Sequence, residues 1–213
     1  MKPDPNDLEE QWTKLARKYS QDEVLINKYY DEIKSAYSSP SRHYHNTAHI
    51  HALLTLANQY QSSLHDKDVV DFSTFYHDIV YKVTRSDNEE KSALRAQKNL
   101  SDLKLAPDKI ATVGKYIRAT KQHKLDGANN ESDLAWFLDF DMSILGAEWD
   151  KYLEYTRELR QEYSIYPDFL YNQGRRKFLQ KSLSTPYIFH TTLFRTYHEQ
   201  DARENIGREL ERL

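Results

Sequence analysis

Some of the polar side chains in this sequence stand where packing alone gives them no reason to be. His77 and Asp78 are adjacent within the apolar-periodic stretch 66–81 (DKDVVDFSTFYHDIVY). Asp139 and Asp141 lie in 133–146 (DLAWFLDFDMSILG), where almost every neighbour is aliphatic or aromatic. A carboxylate in such surroundings is costly unless something pairs with it. Four of the nine histidines crowd into residues 42–51 (RHYHNTAHIH), and His49 precedes His77 by 28 positions. Neutral imidazole and ionised carboxylate are both good ligands for a borderline divalent cation. A metal site would therefore account for all three placements at once. The plainer reading makes His49, His77 and Asp141 satisfied polar groups of a core, and His43 and His51 surface imidazoles at a helix start.

The elements that must position these residues are helical. Val69, Val70, Phe72, Phe75, Tyr76, Ile79 and Val80 recur at helical spacing, which predicts one helix over 66–81 carrying the His-Asp doublet. Asn46 or Thr47 suits an N-cap for a helix whose inward stripe is Ile50, Leu53, Leu54 and Ala57. If that helix reaches back through His45, His45 and His49 lie one turn apart on one side. Asp139 and Asp141 point about 200° apart on a helix, so only one of them should face a shared centre, and the following Met-Ser favours Asp141. Further helices are predicted over 6–19, 22–37, 88–100, from Pro107 towards 119, and over 149–163, 168–183 and 190–213, with loops at 82–88 and 124–132.

Composition agrees. Glycine and proline are few (5 and 6 of 213 residues), and good helix formers are plentiful. The expectation is an all-α, single-domain helical bundle over 1–213, with a motif-bearing core at about 42–146 and C-terminal helices 148–213 packed on it. With 30 basic against 33 acidic residues, the net charge of −3 gives no strong field for nucleic acid or anionic membrane. The absence of cysteine excludes disulfides and thiolate metal sites. Neither a secretory leader nor a run long enough to span a membrane is evident, and a cytoplasmic location is expected. Tyr152, Tyr155, Tyr163, Tyr166 and Tyr171 read as core aromatics or as an interface in a homo-oligomer sooner than as a substrate platform, and Arg175-Arg176 as a solvated helix face from which one arginine could turn inward.

The order His49, His77-Asp78, Asp141 resembles the HD superfamily of metal-dependent phosphohydrolases. Tyr44-His45-Asn46, followed two residues later by His49, is similar to the Tyr-His-Asn-x-x-His of the cyclic nucleotide phosphodiesterases, a branch of that superfamily. Asp141-Met142-Ser143 resembles their Asp-Leu-Ser, and Ala119–His123 (ATKQH) resembles their Ala-Thr-Asp-x-x-x-His without its Asp and at shorter spacing. With His77–Tyr81 and Asn88-Glu89, the run looks most like a small bacterial group of predicted HD-superfamily phosphohydrolases.

The resemblance implies the HD-type helical fold, a divalent metal (Mn, Co, Fe, Ni, Zn or Mg) on His49, His77, Asp78 and Asp141, and His45 as proton donor to the leaving oxygen. It further implies His123, Glu89 and Asp139 as neighbours of substrate or ligands, and Arg42 as a partner of phosphate or of Asp78. Lys121 or Arg175 would help hold phosphate oxygens. The substrate would be a small phosphate ester, a nucleotide or a related phosphorylated metabolite, attacked by metal-activated water, with Asp78 sharing in the catalysis. Tyr81 stands where the phosphodiesterases carry a further histidine, and no purine-clamp glutamine is assignable, so cyclic nucleotide hydrolysis is not implied. Two alternatives stay open: a di-iron oxygenase on the same fold, and a module that retains metal and binds a nucleotide without turnover.

Overall fold

The computed structural model describes residues 5–125, 127 and 129–213, so the start of the chain and two positions of the loop 124–132 lie outside the described residues. The described residues form ten α-helices: α1 (Pro5–Ala16), α2 (Glu23–Tyr37), α3 (Thr47–Gln59), α4 (Lys67–Tyr76), α5 (Asn88–Asp102), α6 (Pro107–Ala119), α7 (Asp133–Met142), α8 (Trp149–Glu162), α9 (Asp168–Ser184) and α10 (Thr192–Leu210). There is no strand among the described residues, and the fold is all-α. No described helix is long and apolar enough to cross a membrane.

Local chemistry sets the helix starts. Asp22, Asn46, Asp66, Ser132 and Thr191 each accept a backbone N–H of the first turn that follows, satisfying a donor that a helix start leaves without an intrahelical partner. Pro107 occupies a first-turn position in α6, where its missing N–H costs nothing.

The buried apolar side chains form one connected cluster running from Leu8 to Ile206. At its centre is α7, whose residues Asp133–Phe140 are all buried, as expected of a helix that is apolar all round. It packs on α3, α4 and α6. Trp12 of α1 stands edge-on to Phe72, Phe75 and Tyr76 of α4, at centroid distances of 6.0, 5.3 and 5.9 Å. The helices that carry His49, His77 and Asp141 are thus held by the same core.

Three boundaries differ from the sequence expectation, and each difference shapes the site. The predicted 66–81 helix stops at Tyr76. Its continuation would send the Asp78 N–H to the Thr74 carbonyl, but His77 Nδ1 takes that carbonyl at 2.8 Å and Asp78 N–H donates to Tyr37 Oη at 3.0 Å. His45 lies outside α3, because Asn46 caps that helix in an extended conformation. The late apolar stretch 133–146 divides into α7 and a tight 3₁₀ turn, Ser143–Gly146.

Candidate metal centre

Three separate segments converge. His49 comes from the first turns of α3, His77 and Asp78 from the end of α4, and Asp141 from the last turn of α7. His49 and His77 are 5% and 1% exposed, and their Nε2 atoms are 3.2 Å apart. Asp78 Oδ2 is 3.3 Å from His77 Nε2, and Asp141 Oδ1 is 3.1 Å from His49 Nε2 and 3.7 Å from His77 Nε2. The ligand atoms of His49, His77 and Asp78 all fall within 4.8 Å of one another, a group that could hold a metal ion.

The donor chemistry fits a cation. His77 Nδ1 faces the Thr74 carbonyl, so the proton on that nitrogen is fixed and Nε2 is the atom turned to the cluster. Without a metal, burial opposes charge on His77, but Asp78 and Asp141 overcome it and push the imidazole up to about 9. Burial lowers His49, which stays neutral. Asp78 and Asp141 are likewise held well below the carboxylate range against the cost of burial, Asp78 chiefly by His77 and Asp141 chiefly by hydrogen bonds from His123 and His49. A proton on His77 therefore fills the role of positive charge that a metal would take.

His45 sits beside this cluster. Its Nε2 is 3.9 Å from Asp78 Oδ2, and its Nδ1 is 2.7 Å from Glu162 Oε2 on α8. Glu162 Oε1 accepts the backbone N–H groups of Tyr44 and His45 at 2.9 and 2.8 Å. Burial works against charge on His45, yet Glu162 and Asp78 leave its pKa raised. Glu162 is absent from the sequence reading, although a signal existed. In α8 it continues the buried stripe Tyr152, Tyr155, Leu159 as the one charged member.

Tyr81 does not turn to the cluster as a substitute ligand: its hydroxyl donates to Glu162 Oε2 at 3.0 Å, and its ring lies 4.3 Å from that of His45. His123 adopts a left-handed backbone (φ 51°) just past α6, a conformation uncommon outside glycine, and its Nε2 is 3.0 Å from Asp141 Oδ2. Glu89 lines a cavity that also reaches His123 and Asp141.

Other expected roles are corrected by the geometry. Asp139 faces away from the cluster; its two oxygens accept the N–H groups of His190 and Thr191 and the Thr191 hydroxyl, at 2.7–2.8 Å. Burial pushes it up to about 6 against those three bonds. Arg42 does not pair with the Asp78 carboxylate. It donates to the carbonyls of His45, Asp78 and Ile79, tying the segment before α3 to the segment after α4. Lys121 Nζ donates to the Ser86 carbonyl. Arg175 is not on a solvated face: it is 7% exposed, paired with both oxygens of Glu209 at 2.8 and 3.0 Å and bonded to Tyr155 Oη.

A cavity of about 670 Å³ opens onto His45, Asp78, His123 and Asp141. The tyrosine stripe divides there. Tyr152 packs inside on Tyr155 and Trp149, while Tyr155, Tyr163, Tyr166 and Tyr171 line the cavity wall. Comparisons with the profiles of known families, with curated proteins and with solved structures gave no match.

Proposed function

We infer that the cluster holds a divalent cation and that the protein hydrolyses a phosphate ester. The observation that supports this most directly is the setting of His45: one ring nitrogen is tied to a buried carboxylate, and the other stands beside the cluster at the edge of a cavity. A general acid needs that arrangement, with a partner that stabilises the charged ring and a free nitrogen aimed at the leaving group. His49, His77, Asp78 and Asp141 would hold the cation. Nitrogen and oxygen donors without sulfur suit manganese, cobalt, iron, nickel, zinc or magnesium. When bound, the cation would draw charge from the phosphoryl oxygens and lower the pKa of water from 15.7 towards about 7.

In this reading the water oxygen forms a new bond to phosphorus, and the bond from phosphorus to the ester oxygen breaks. The proton that the water loses passes to solvent, and protonated His45 delivers its Nε2 proton to the departing alkoxide. The products are the alcohol and inorganic phosphate. Glu162 holds the His45 ring in place throughout.

The test is metal analysis of the purified protein, followed by an oxygen-free assay with manganese or cobalt against a panel of phosphate esters. Phosphate release without dioxygen, lost together with the metal in Asp78→Ala, is expected. Full turnover in Asp78→Ala, a requirement for dioxygen, or a tightly retained nucleotide with no product would overturn the reading.

A further inference from the structure

The chemistry above uses one end of the cavity, and the remainder has a composition of its own. Among the described lining residues the only lysine or arginine is Arg175, whose N–H groups are bonded to Glu209 and Tyr155 and whose guanidinium lies 5.2 Å from the Phe178 ring centroid. Arg42 and Lys121, which the sequence puts forward to hold phosphate, are spent on backbone carbonyls. The lining also carries Glu89. A chain of two or three phosphates would bring several negative charges to a wall with no uncommitted counter-charge and one carboxylate. The site therefore suits a single phosphoryl group, seated at the cluster.

Much of the remaining lining is aromatic. Tyr163 lies 6.2 Å from Tyr166 and 5.8 Å from Tyr171, centroid to centroid. Leu170 and Phe178 of α9 complete it, and both remain exposed in part. Next to Leu170 in sequence, Phe169 is 70% exposed and Ile165 is 68% exposed. Apolar surface left in water is unfavourable, and covering it would stabilise a complex. Flat rings and branched aliphatics around a cavity are what a planar, apolar body would cover.

Resting on the phosphohydrolase reading, we propose that the substrate is a phosphate monoester whose alcohol half carries a planar aromatic ring, seated against Tyr163, Tyr171 and Phe178 with its one phosphoryl group at the cluster. A nucleoside and a smaller ring alcohol share this chemistry. Stacking of a base on an aromatic side chain contributes about 1–3 kcal/mol, or roughly 5- to 150-fold in affinity.

The test compares kcat/KM of the manganese-loaded protein for adenosine 5′-monophosphate, pyridoxine 5′-phosphate, glycerol 3-phosphate and adenosine 5′-triphosphate. At least one ring monoester should exceed both glycerol 3-phosphate and the triphosphate by about 100-fold. Phe178→Ala and the milder Phe178→Leu should raise KM for that monoester and cut its preference over glycerol 3-phosphate by about tenfold in the alanine variant. Phe178 is partly exposed, so these variants are expected to fold. Glycerol 3-phosphate or the triphosphate turned over as well as the ring monoesters would overturn the proposal while leaving phosphohydrolase activity standing. Equilibrium dialysis of adenosine and pyridoxine gives the converse separation. If no ester is hydrolysed, binding of either that weakens in Phe178→Ala keeps the aromatic seat and removes the phosphohydrolase reading, and binding of neither overturns the seat.

Discussion

Glu162 Oε2 lies 2.7 Å from His45 Nδ1, and the same side chain accepts the backbone N–H groups of Tyr44 and His45. One buried carboxylate thus fixes both the imidazole and the extended segment that carries it. Its own pKa is lowered by these bonds in spite of burial, so it stays charged and favours the protonated ring.

Replacing this carboxylate should affect turnover more than metal content. In Glu162→Gln the raised pKa of His45 falls, and a general acid must be protonated to act. The alkaline fall of kcat/KM should therefore move to lower pH, with kcat reduced about 10- to 100-fold, as for other residues that orient a functional histidine. Metal stoichiometry should stay near that of the wild type. A pH–rate profile with an unmoved alkaline limb would show that Glu162 does not set the state of His45.

The sequence already carried the helical class and the Asn46 cap, because these rest on local periodicity and local chemistry, while the grouping of His49, His77, Asp78 and Asp141 came with the resemblance to the HD superfamily. What it could not carry came from contacts far apart along the chain. Glu162 reaches His45 across 117 positions. The early end of α4 depends on Tyr37, 41 positions away from Asp78. Arg175 looked like half of a solvated Arg-Arg pair until α10 brought Glu209 against it. Asp139 and Asp141 were separable only in part, since helical geometry says that they diverge but not which one meets the histidines.

Those two aspartates should give opposite phenotypes. Asp141→Ala removes a carboxylate oxygen 3.1 Å from His49 and should lower metal content to a small fraction of the wild type. Asp139→Ala leaves buried N–H groups of His190 and Thr191 unpaired, each worth about 1–3 kcal/mol, and should lower stability while metal is retained. Metal analysis and urea unfolding on the two variants check this; metal loss in Asp139→Ala with Asp141→Ala fully loaded would reverse the assignment.

The Arg175–Glu209 pair is buried and doubly bonded, with Tyr152 and Tyr155 also attached to it. Removing one partner leaves an uncompensated charge in the interior. Arg175→Met alone or Glu209→Leu alone should cost about 3–5 kcal/mol, whereas the double variant should recover most of that loss. Urea midpoints for the cycle measure it, and additive losses in the double variant would mean that the two side chains act separately.

The sharpest test of the cation itself lies in His77. Its folded-state pKa of about 9 stands above the roughly 6.5 of an unfolded chain, so the stability it contributes without metal is fully present below about pH 6.5 and is lost as pH rises through about 9. A metal requires the lone pair on Nε2 and so competes with that proton. Apparent affinity for manganese or zinc should therefore climb towards tenfold per pH unit between about 7 and 9 and level off above 9. Close to one proton should be released per ion bound at pH 7. Calorimetric titrations in two buffers of different ionisation enthalpy count that proton directly. Thermal melts should show the metal-free protein weakening over the same interval and the loaded protein holding. Affinity flat from pH 7 to 9, with no proton released, would mean that His77 is not a ligand and that the convergence of α3, α4 and α7 serves packing alone.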